Sequence, residues 1–555
     1  MSQPTQHSPS DVVPPIGSAN GRRNRIHEFV EAHPDLIALS VLAVGLLLRM
    51  HAASGTFLNP DEALHVSVAD QPSFLEAYKA SLALAHPPLL ILLLYFWRQV
   101  GSSEFWLRLP SVLAGTLFCW FFFKWMKITL GSAAAITGLI FAALLSPLVT
   151  LSTEVRQYSL LLLFMAAAAY LLELAIARSS VSLMALCFVC LWLAMLSHYS
   201  GLIFAIAFSI YGALRVLSGG LPRTVFAGWL AAQVGVVTLA VFLYRTQIAT
   251  LKSGALARQA ASEWLRKSYF HPGQDNLLAF VFGRSFAVFQ FIFGQHVIGL
   301  VAGVMFLIGG VFLFRRNSNA GNVPSRQFAI LLVLAFAINC ALAMAGRYPY
   351  GGTRHSIFLA MFALAGVSVL LVRASRQRPD YAIALAAGIV VVCYLFGFHH
   401  QPYMTRHDQS RVQMAQAMDF VMQQIPASDR IFVDYQASLM LGQYLCEQKP
   451  LRVERSGFDS FDCAGHHIIS TTDSPRLWAF TPETFPGYWD DLARTQELKP
   501  GTNVWVVQAG WGASIASDLP RVCPDLSPLR SESFGRNITI FRLTVANRAS
   551  RPAAS

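Results

Sequence analysis

Charge is scarce in this chain. Only 13% of its 555 residues are Asp, Glu, Lys or Arg, against 54% hydrophobic, and the mean hydropathy is +0.47. That balance excludes both an ordinary soluble enzyme and an intrinsically disordered protein. Cysteine is sparse as well. Of the eight present, Cys119, Cys187, Cys190, Cys340 and Cys393 fall in apolar runs, where a thiol packs as a small hydrophobe, so Cys187-Phe-Val-Cys190 reads as helix packing rather than a redox pair. Cys446, Cys463 and Cys523 lie in the polar C-terminal part. Three thiols allow one disulfide at most, with Cys446 to Cys463 the first choice in an oxidising compartment. No Gly-rich phosphate-binding motif is present. Residues 1–34 are too polar for a cleavable signal peptide, so the first apolar run is expected to remain as an anchor.

What the chain does have is apolar runs of membrane-spanning length. They fall at about 36–52, 107–127, 132–152, 157–177, 181–198, 200–218, 224–244, 296–314, 327–346, 353–373 and 380–398, eleven in all. The piece from Pro87 to Trp97 is too short to cross and reads as interfacial. Charge parity supports eleven. With Arg22, Arg23 and Arg25 inside, the loops holding Lys124/Lys127, Arg178, Arg215/Arg223, Arg315/Arg316/Arg326 and Arg373/Arg376/Arg378 all fall in the cytoplasm, as the positive-inside rule requires. A twelfth crossing at Pro87–Trp97 would turn all five outward.

Residues 1–398 carry 27 Lys and Arg against 14 Asp and Glu, while 399–555 carry 15 against 16. The basic excess thus belongs to the membrane part, and the pI of 9.4 points to anionic lipid, not to nucleic acid. After residue 400 the pattern becomes that of a small α/β domain: a helix near Arg411–Gln424, a strand at Arg430–Tyr435, a helix at Ala437–Cys446, and strands at Asn503–Gln508 and Ile538–Leu543. The expected architecture is a polytopic α-helical membrane protein of about eleven spans, with interfacial helices in its first outer loop. It comprises a polar cytoplasmic N-terminal segment (1–35), a transmembrane part (36–398), an extracytoplasmic soluble α/β domain (399–546) and a disordered tail (547–555). The long outer loop 245–295, with Arg258, Trp264, Arg266 and Lys267, is expected to hold amphipathic interfacial helices.

On the outer side this topology gathers most of the ionisable residues that lie near the membrane. Asn59-Pro60-Asp61-Glu62-Ala63-Leu64-His65 is in part a helix start: Asn59 suits the cap, Pro60 the first position, and the two acids the positive end of the helix dipole. His65, however, lies one turn from both acids. Three ionisable groups on one face at a membrane surface make a general base plausible. The same side receives His86, Glu154 with Arg156, His198-Tyr199, Arg347 and Arg354-His355. Carboxylates to activate a nucleophile, with Arg and His to hold an anionic leaving group, form a coherent set for transfer at a lipid-borne phosphate.

The ordered series Asn59-Pro60-Asp61-Glu62, His86-Pro87-Pro88-Leu89, Glu104-Phe105-Trp106-Leu107-Arg108-Leu109-Pro110-Ser111, and Ser146-Pro147 ahead of Glu154-Val155-Arg156-Gln157-Tyr158 resembles the bacterial GT-C membrane glycosyltransferases. These enzymes are related to protein O-mannosyltransferases and the lipid A aminoarabinose transferase, and are grouped as glycosyltransferase family 39. The resemblance covers roughly residues 36–220. It implies a sugar taken from a polyprenyl-phosphate donor and passed, with inversion, to an acceptor on the outer face of the cytoplasmic membrane. By position Asp61 would be the general base, Glu62 would orient or bind sugar, His86 would lie near the donor phosphate, and Glu154 with Arg156 would line the substrate. A phosphate role for Arg354 and His355 rests on charge and side alone, and His65, His198, Tyr199 and Arg347 join the substrate-binding candidates on the same ground. The acceptor, whether glycan, lipid or protein, stays open.

No obligatory metal is expected, although Asp61, Glu62, His65, His86 and Glu154 could supply ligands to a divalent ion. Two rivals share the topology. A transporter or flippase would place ionisable residues nearer the bilayer midplane and show paired repeats. An oligosaccharide polymerase or ligase would use a diphosphate-linked donor and the same chemical logic.

Overall fold

The computed structural model describes residues 28–218, 220–253, 261–316, 319–320, 323–375, 378–397, 409–446, 452–455, 457–471, 478–511 and 514–545. Arg22, Arg23, Arg25, Arg258, Arg376 and the expected tail 547–555 lie outside them. Among the described residues nine helices are long and apolar enough to cross a membrane: Pro34–Ala53, Glu104–Leu130, Tyr158–Ala177, Ser200–Ser218, Arg223–Leu251, His296–Arg315, Ser325–Met344, Arg354–Ala374 and Pro379–Phe396. Three shorter apolar helices, Ser132–Leu144, Val181–Ser197 and Leu277–Phe293, accompany them. The first two occupy expected spans. The third lies within the 245–295 loop, and the chain at both its ends meets the same end of the bundle. Phe270 N–H donates to Ala343 O at 3.3 Å, and Gly294 abuts Pro147 and Gly397. It also packs along His296–Arg315, with Phe289 5.3 Å from Phe306. Leu89–Trp97 has nine residues and is too short to cross.

Two pairings fix the first span against its neighbours. Asp35, in the first turn of Pro34–Ala53, meets Lys127 (2.6 Å) and Lys124 (3.4 Å) near the last turn of Glu104–Leu130. Each charge thereby sits at the helix end whose dipole favours it. At the other end Arg49, 1% exposed, resolves a backbone defect. Pro147 has no N–H, so the Ala143 carbonyl loses its helical partner. Arg49 replaces it: Nη1 donates to Ala143 O (2.8 Å), Nη2 to Ala142 O (3.2 Å) and Nε to Ser152 Oγ (2.8 Å). Gly115 permits this approach, since a Cβ there would stand 2.4 Å from the Ser152 Cβ. After the break, the short helix Ser146–Leu151 redirects the chain so that 153–157 crosses the end of the bundle.

The C-terminal region is a seven-stranded sheet in the order Val453–Arg455, Phe458–Cys463, His466–Thr471, Arg430–Val433, Asn503–Ala509, Ile538–Thr544, Arg530–Ser533. Arg430–Val433 runs parallel to both neighbours, and every other pairing is antiparallel. Alternate residues bury on opposite faces. Phe432, Ile469, Val506 and Phe541 pack with Phe485 and Trp489 of the helix Phe485–Thr495. Ile431, Val433, Ile468, Trp505 and Ile540 pack on the face of Arg411–Gln424 and Tyr435–Tyr444. Strands 430–433, 503–509 and 538–544 and both of those helices fall where the sequence placed them. The strands between 453 and 471 do not show in the sequence because Asp459, Asp462, His466 and His467 interrupt their alternation. Cys446 and Cys463 are disulfide-bonded, with Cα atoms 5.2 Å apart.

At the C-terminal end of the central strand, Asp434 accepts the Ala437 N–H (2.9 Å) and the Phe480 N–H (3.0 Å). Burial nevertheless pushes its carboxyl up from 3.8 to about 7. The folded chain keeps a proton that the unfolded chain has released, so this group's contribution to stability declines as pH rises from 3.8 to about 7 and levels off above. Asp434→Asn should flatten the thermal-midpoint profile across that window. A slope that survives in the variant would belong to other groups.

The sheet region grips the membrane part through the segment just before Asp61. Thr56 bridges Ser410, Phe57 N–H donates to Gln409 O (2.9 Å), and Leu58 N–H donates to the Tyr444 hydroxyl (2.6 Å). Arg411 pairs with Glu104 at 3.3 Å. Gly510, at φ +137°, sits so close to Pro60 that a Cβ would stand 2.7 Å from the proline ring.

Candidate active site

The helix Pro60–Ala69 opens with a capping box: Glu62 N–H donates to Asn59 Oδ1 (3.0 Å) and Asn59 N–H to Glu62 Oε2 (2.9 Å). That geometry separates the two acids. Glu62 is fully buried, and both its oxygens are engaged. Arg108 donates to them bidentately (Nε to Oε1 2.8 Å, Nη2 to Oε2 2.7 Å), and Val155 N–H adds a bond to Oε1 at 2.8 Å. Arg108 also donates to the carbonyls of Ala53, Thr56 and Phe57. The acid expected to orient or bind sugar is thus the centre of a buried lattice that ties three chain segments together, with no oxygen turned to a substrate. Glu154, the second acidic position, contributes its backbone carbonyl to Arg156 N–H at 2.7 Å, and its charge acts on Arg108.

Asp61, by contrast, is 13% exposed. Its Oδ2 lies between two guanidiniums, Arg156 Nη1 at 2.6 Å and Arg354 Nη2 at 2.9 Å. Burial alone would push this carboxyl up, but Arg156 and then Arg354 outweigh it and hold it below its ordinary value. Asp61 is therefore ionised at any working pH. The two arginines arrive from distant places: Arg156 from the segment that the Pro147 break redirects, and Arg354 from the first turn of the 3₁₀ segment Arg354–Leu359.

Beside this triad four imidazoles stack in a column. Ring centroids are 6.0 Å apart for His65 and His86, 5.3 Å for His86 and His198, and 6.1 Å for His198 and His355, all within 28° of parallel. Burial, then Arg156, lowers His65 to about 3, and burial with Arg156 and Arg354 lowers His198 to about 3. His86 is held well below its ordinary value by burial first and His198 next. These three rings are neutral near pH 7. His65 Nδ1–H donates to the Asp61 carbonyl (2.6 Å), whereas His198 Nδ1 accepts from Ser200 N–H (3.2 Å), which leaves Nε2–H of His198 as a donor.

Tyr158 and Tyr348 close the column, their ring centroids 5.3 Å and 6.4 Å from His198. Arg156 Nε, both ends of the Gln157 amide, the Tyr158 hydroxyl and His86 Nδ1 are buried without a hydrogen-bond partner among the described residues. Buried polar atoms are rarely left so. A polar ligand placed here would find these atoms as partners.

Not every candidate joins the cluster. Arg347 is exposed, and its neighbour Tyr348 turns in instead. The Tyr199 hydroxyl donates to Gln247 at 3.0 Å. Among the described residues no three His, Cys, Asp or Glu side chains form a metal-holding group. Sequence reading had passed over Arg49, the pairing of Arg108 with Glu62, and Trp511, whose ring faces Arg354 at 5.9 Å. An arginine inside an apolar run was the available signal for the first two.

The chain thus combines a bundle of apolar helices, with an acid, two arginines and a histidine column at one end, and a sheet-containing C-terminal region. Residues 85–245 match the family model described as dolichyl-phosphate-mannose-protein mannosyltransferase. That stretch includes His86, Glu154, Arg156 and His198 and leaves Asp61 and Arg354 outside it. No curated protein matches the chain. Among solved structures it is similar to the Archaeoglobus fulgidus oligosaccharyltransferase tethered with an acceptor peptide (11% identity, TM-score 0.46, covering 93% of this chain and 74% of that one). It is also similar to ArnT from Cupriavidus metallidurans bound to undecaprenyl phosphate (14%, TM-score 0.36, 91% and 97%). A third likeness is to arabinosyltransferase EmbB from Mycobacterium smegmatis (16%, TM-score 0.34, 65% and 40%).

Proposed function

We propose that this membrane glycosyltransferase moves a sugar from a polyprenyl-phosphate donor to an acceptor hydroxyl at the outer face of the cytoplasmic membrane, inverting the anomeric centre, with Asp61 as general base. One observation carries the reading: a single carboxylate held between two cations at 2.6 and 2.9 Å, beside buried donors that lack partners. A polyprenyl phosphate brings its own negative charge to the site. Arg156 and Arg354, with neutral N–H groups of the histidine column, then share the phosphate oxygens and release part of their hold on Asp61. The carboxylate becomes more basic as the donor binds. It takes the acceptor proton while the acceptor oxygen bonds to the anomeric carbon, and the carbon–oxygen bond to phosphate breaks on the opposite face. Glu62 and Arg108 position this helix, and Arg49 positions the segment carrying Arg156.

Arg354, 31% exposed, is the replaceable cation. Arg354→Ala is expected to raise the apparent KM for the lipid donor by about tenfold or more. Losing a cation also raises the Asp61 pKa, so the acid limb of kcat/KM should move to higher pH. Unchanged donor affinity together with an unmoved acid limb would remove Arg354 from the phosphate site.

A further inference from the structure

Open α/β sheets take ligands at the carboxyl ends of their parallel strands, and here that edge is turned toward Asp61. Residues following Arg430–Val433 and Asn503–Ala509 include Tyr435, Gln436, Gly510 and Trp511, and the last two reach Pro60 and Arg354. Three aromatic rings stand side by side on it. Tyr435 is 5.7 Å from Trp478 and Trp478 is 5.9 Å from Trp511, each ring partly exposed. The backbone of Trp511 is held by a single side chain: Gln436 Nε2 donates to Trp511 O (2.8 Å), and Trp511 N–H donates to Gln436 Oε1 (2.9 Å). Beside it lies a polar hollow of about 10 Å³ lined by Gln436, Gln508, Ser514, Arg536 and Asn537, among others. It has room for one water or one hydroxyl. The Asn537 Nδ2 has no partner among the described residues.

A group of half-open aromatic rings, tilted 51° and 41° to one another, beside amide and guanidinium groups suits one kind of ligand. The C–H face of a pyranose lies on the rings, and its hydroxyls find the polar groups at their edge. An acyl chain would leave those polar groups unpaired, and an extended peptide would look for strand-like backbone partners. Adjacency to Asp61 says which substrate this is, because Trp511 faces the same arginine that pairs with that carboxylate. We propose that Tyr435, Trp478 and Trp511 form a saccharide-binding wall for the acceptor, so that the hydroxyl offered to Asp61 belongs to a sugar ring, of a free glycan or of a glycolipid. This rests on the glycosyl-transfer reading above.

The test uses the full-length protein in lipid nanodiscs. Methyl glucopyranoside, methyl galactopyranoside, methyl mannopyranoside and a Ser/Thr peptide are titrated separately while tryptophan fluorescence is followed. At least one pyranoside should quench the emission, and the peptide should not. Trp478→Ala, which removes a ring that does not touch Arg354, should weaken that saccharide about tenfold, while Trp478→Phe, which keeps a ring, should stay within about twofold. A free disaccharide and a glycolipid in the disc then compete for the same signal and separate the two sources. A response to the peptide but to no saccharide, or unchanged affinity in Trp478→Ala, overturns the wall. Binding is read without turnover, so the two readings fail separately. Lost saccharide binding with Asp61-dependent transfer intact removes the wall alone. Saccharide binding intact with transfer independent of Asp61 removes the transfer mechanism alone.

Discussion

Asp61→Asn is expected to lower sugar transfer by about a thousandfold, within the range that a positioned base contributes. The amide keeps the shape of the carboxylate but can neither take the acceptor proton nor balance Arg156 and Arg354, 2.6 and 2.9 Å away. Donor binding should survive and even tighten, because two cations otherwise shared with Asp61 become wholly available to the phosphate. That pairing of tighter donor binding with collapsed turnover distinguishes a base from a binding residue. Arg156 is almost wholly buried, so the variant should also lose some stability, and its melting temperature must be measured alongside. Transfer at the wild-type rate by a folded Asp61→Asn protein would dismiss Asp61 from the chemistry.

The largest effect on stability is expected one residue further on. Glu62→Ala leaves the Arg108 guanidinium buried without a counter-ion and strips two backbone donors, Asn59 N–H and Val155 N–H, of their acceptor. Breaking a buried pair in this way costs about 3–5 kcal/mol. A midpoint lowered by many degrees, or failure to accumulate in the membrane, is the expected result. Glu62→Gln keeps one acceptor oxygen and the shape of the site, so per folded molecule it should retain far more transfer than Asp61→Asn. A Glu62→Ala protein of normal midpoint but no activity would mean that Glu62 acts on substrate after all.

The contrast between these neighbours shows what the sequence can and cannot convey. Hydropathy marked the helices because a bilayer demands long apolar runs whatever lies beside them. Asp61 and His65 were visible together because one helical turn is a local distance. Glu62 was expected to orient or bind sugar because its partner, 46 positions away on another helix, does not show in the sequence. Arg347 and Arg354 share charge and setting, yet the folded backbone leaves one exposed and brings the other to Asp61. Arg49 drew no reading from the sequence, because the carbonyl it serves is exposed only by the distant Pro147 break. The aromatic row was hidden for the same reason, since Tyr435, Trp478 and Trp511 meet only once the sheet has formed.

The clasp at Gly55–Pro60 bears on how such enzymes can change their preferences. These few residues are at once the lead-in to the helix that carries Asp61 and a docking strip for the C-terminal region, through Ser410, Gln409, Tyr444 and Gly510. A chimera that receives a foreign C-terminal half without its matching strip would tilt the reactive carboxylate along with the module meant to retarget it. New acceptor preference is therefore most accessible through single substitutions along the aromatic row, while wholesale grafting has to carry both halves of the clasp together.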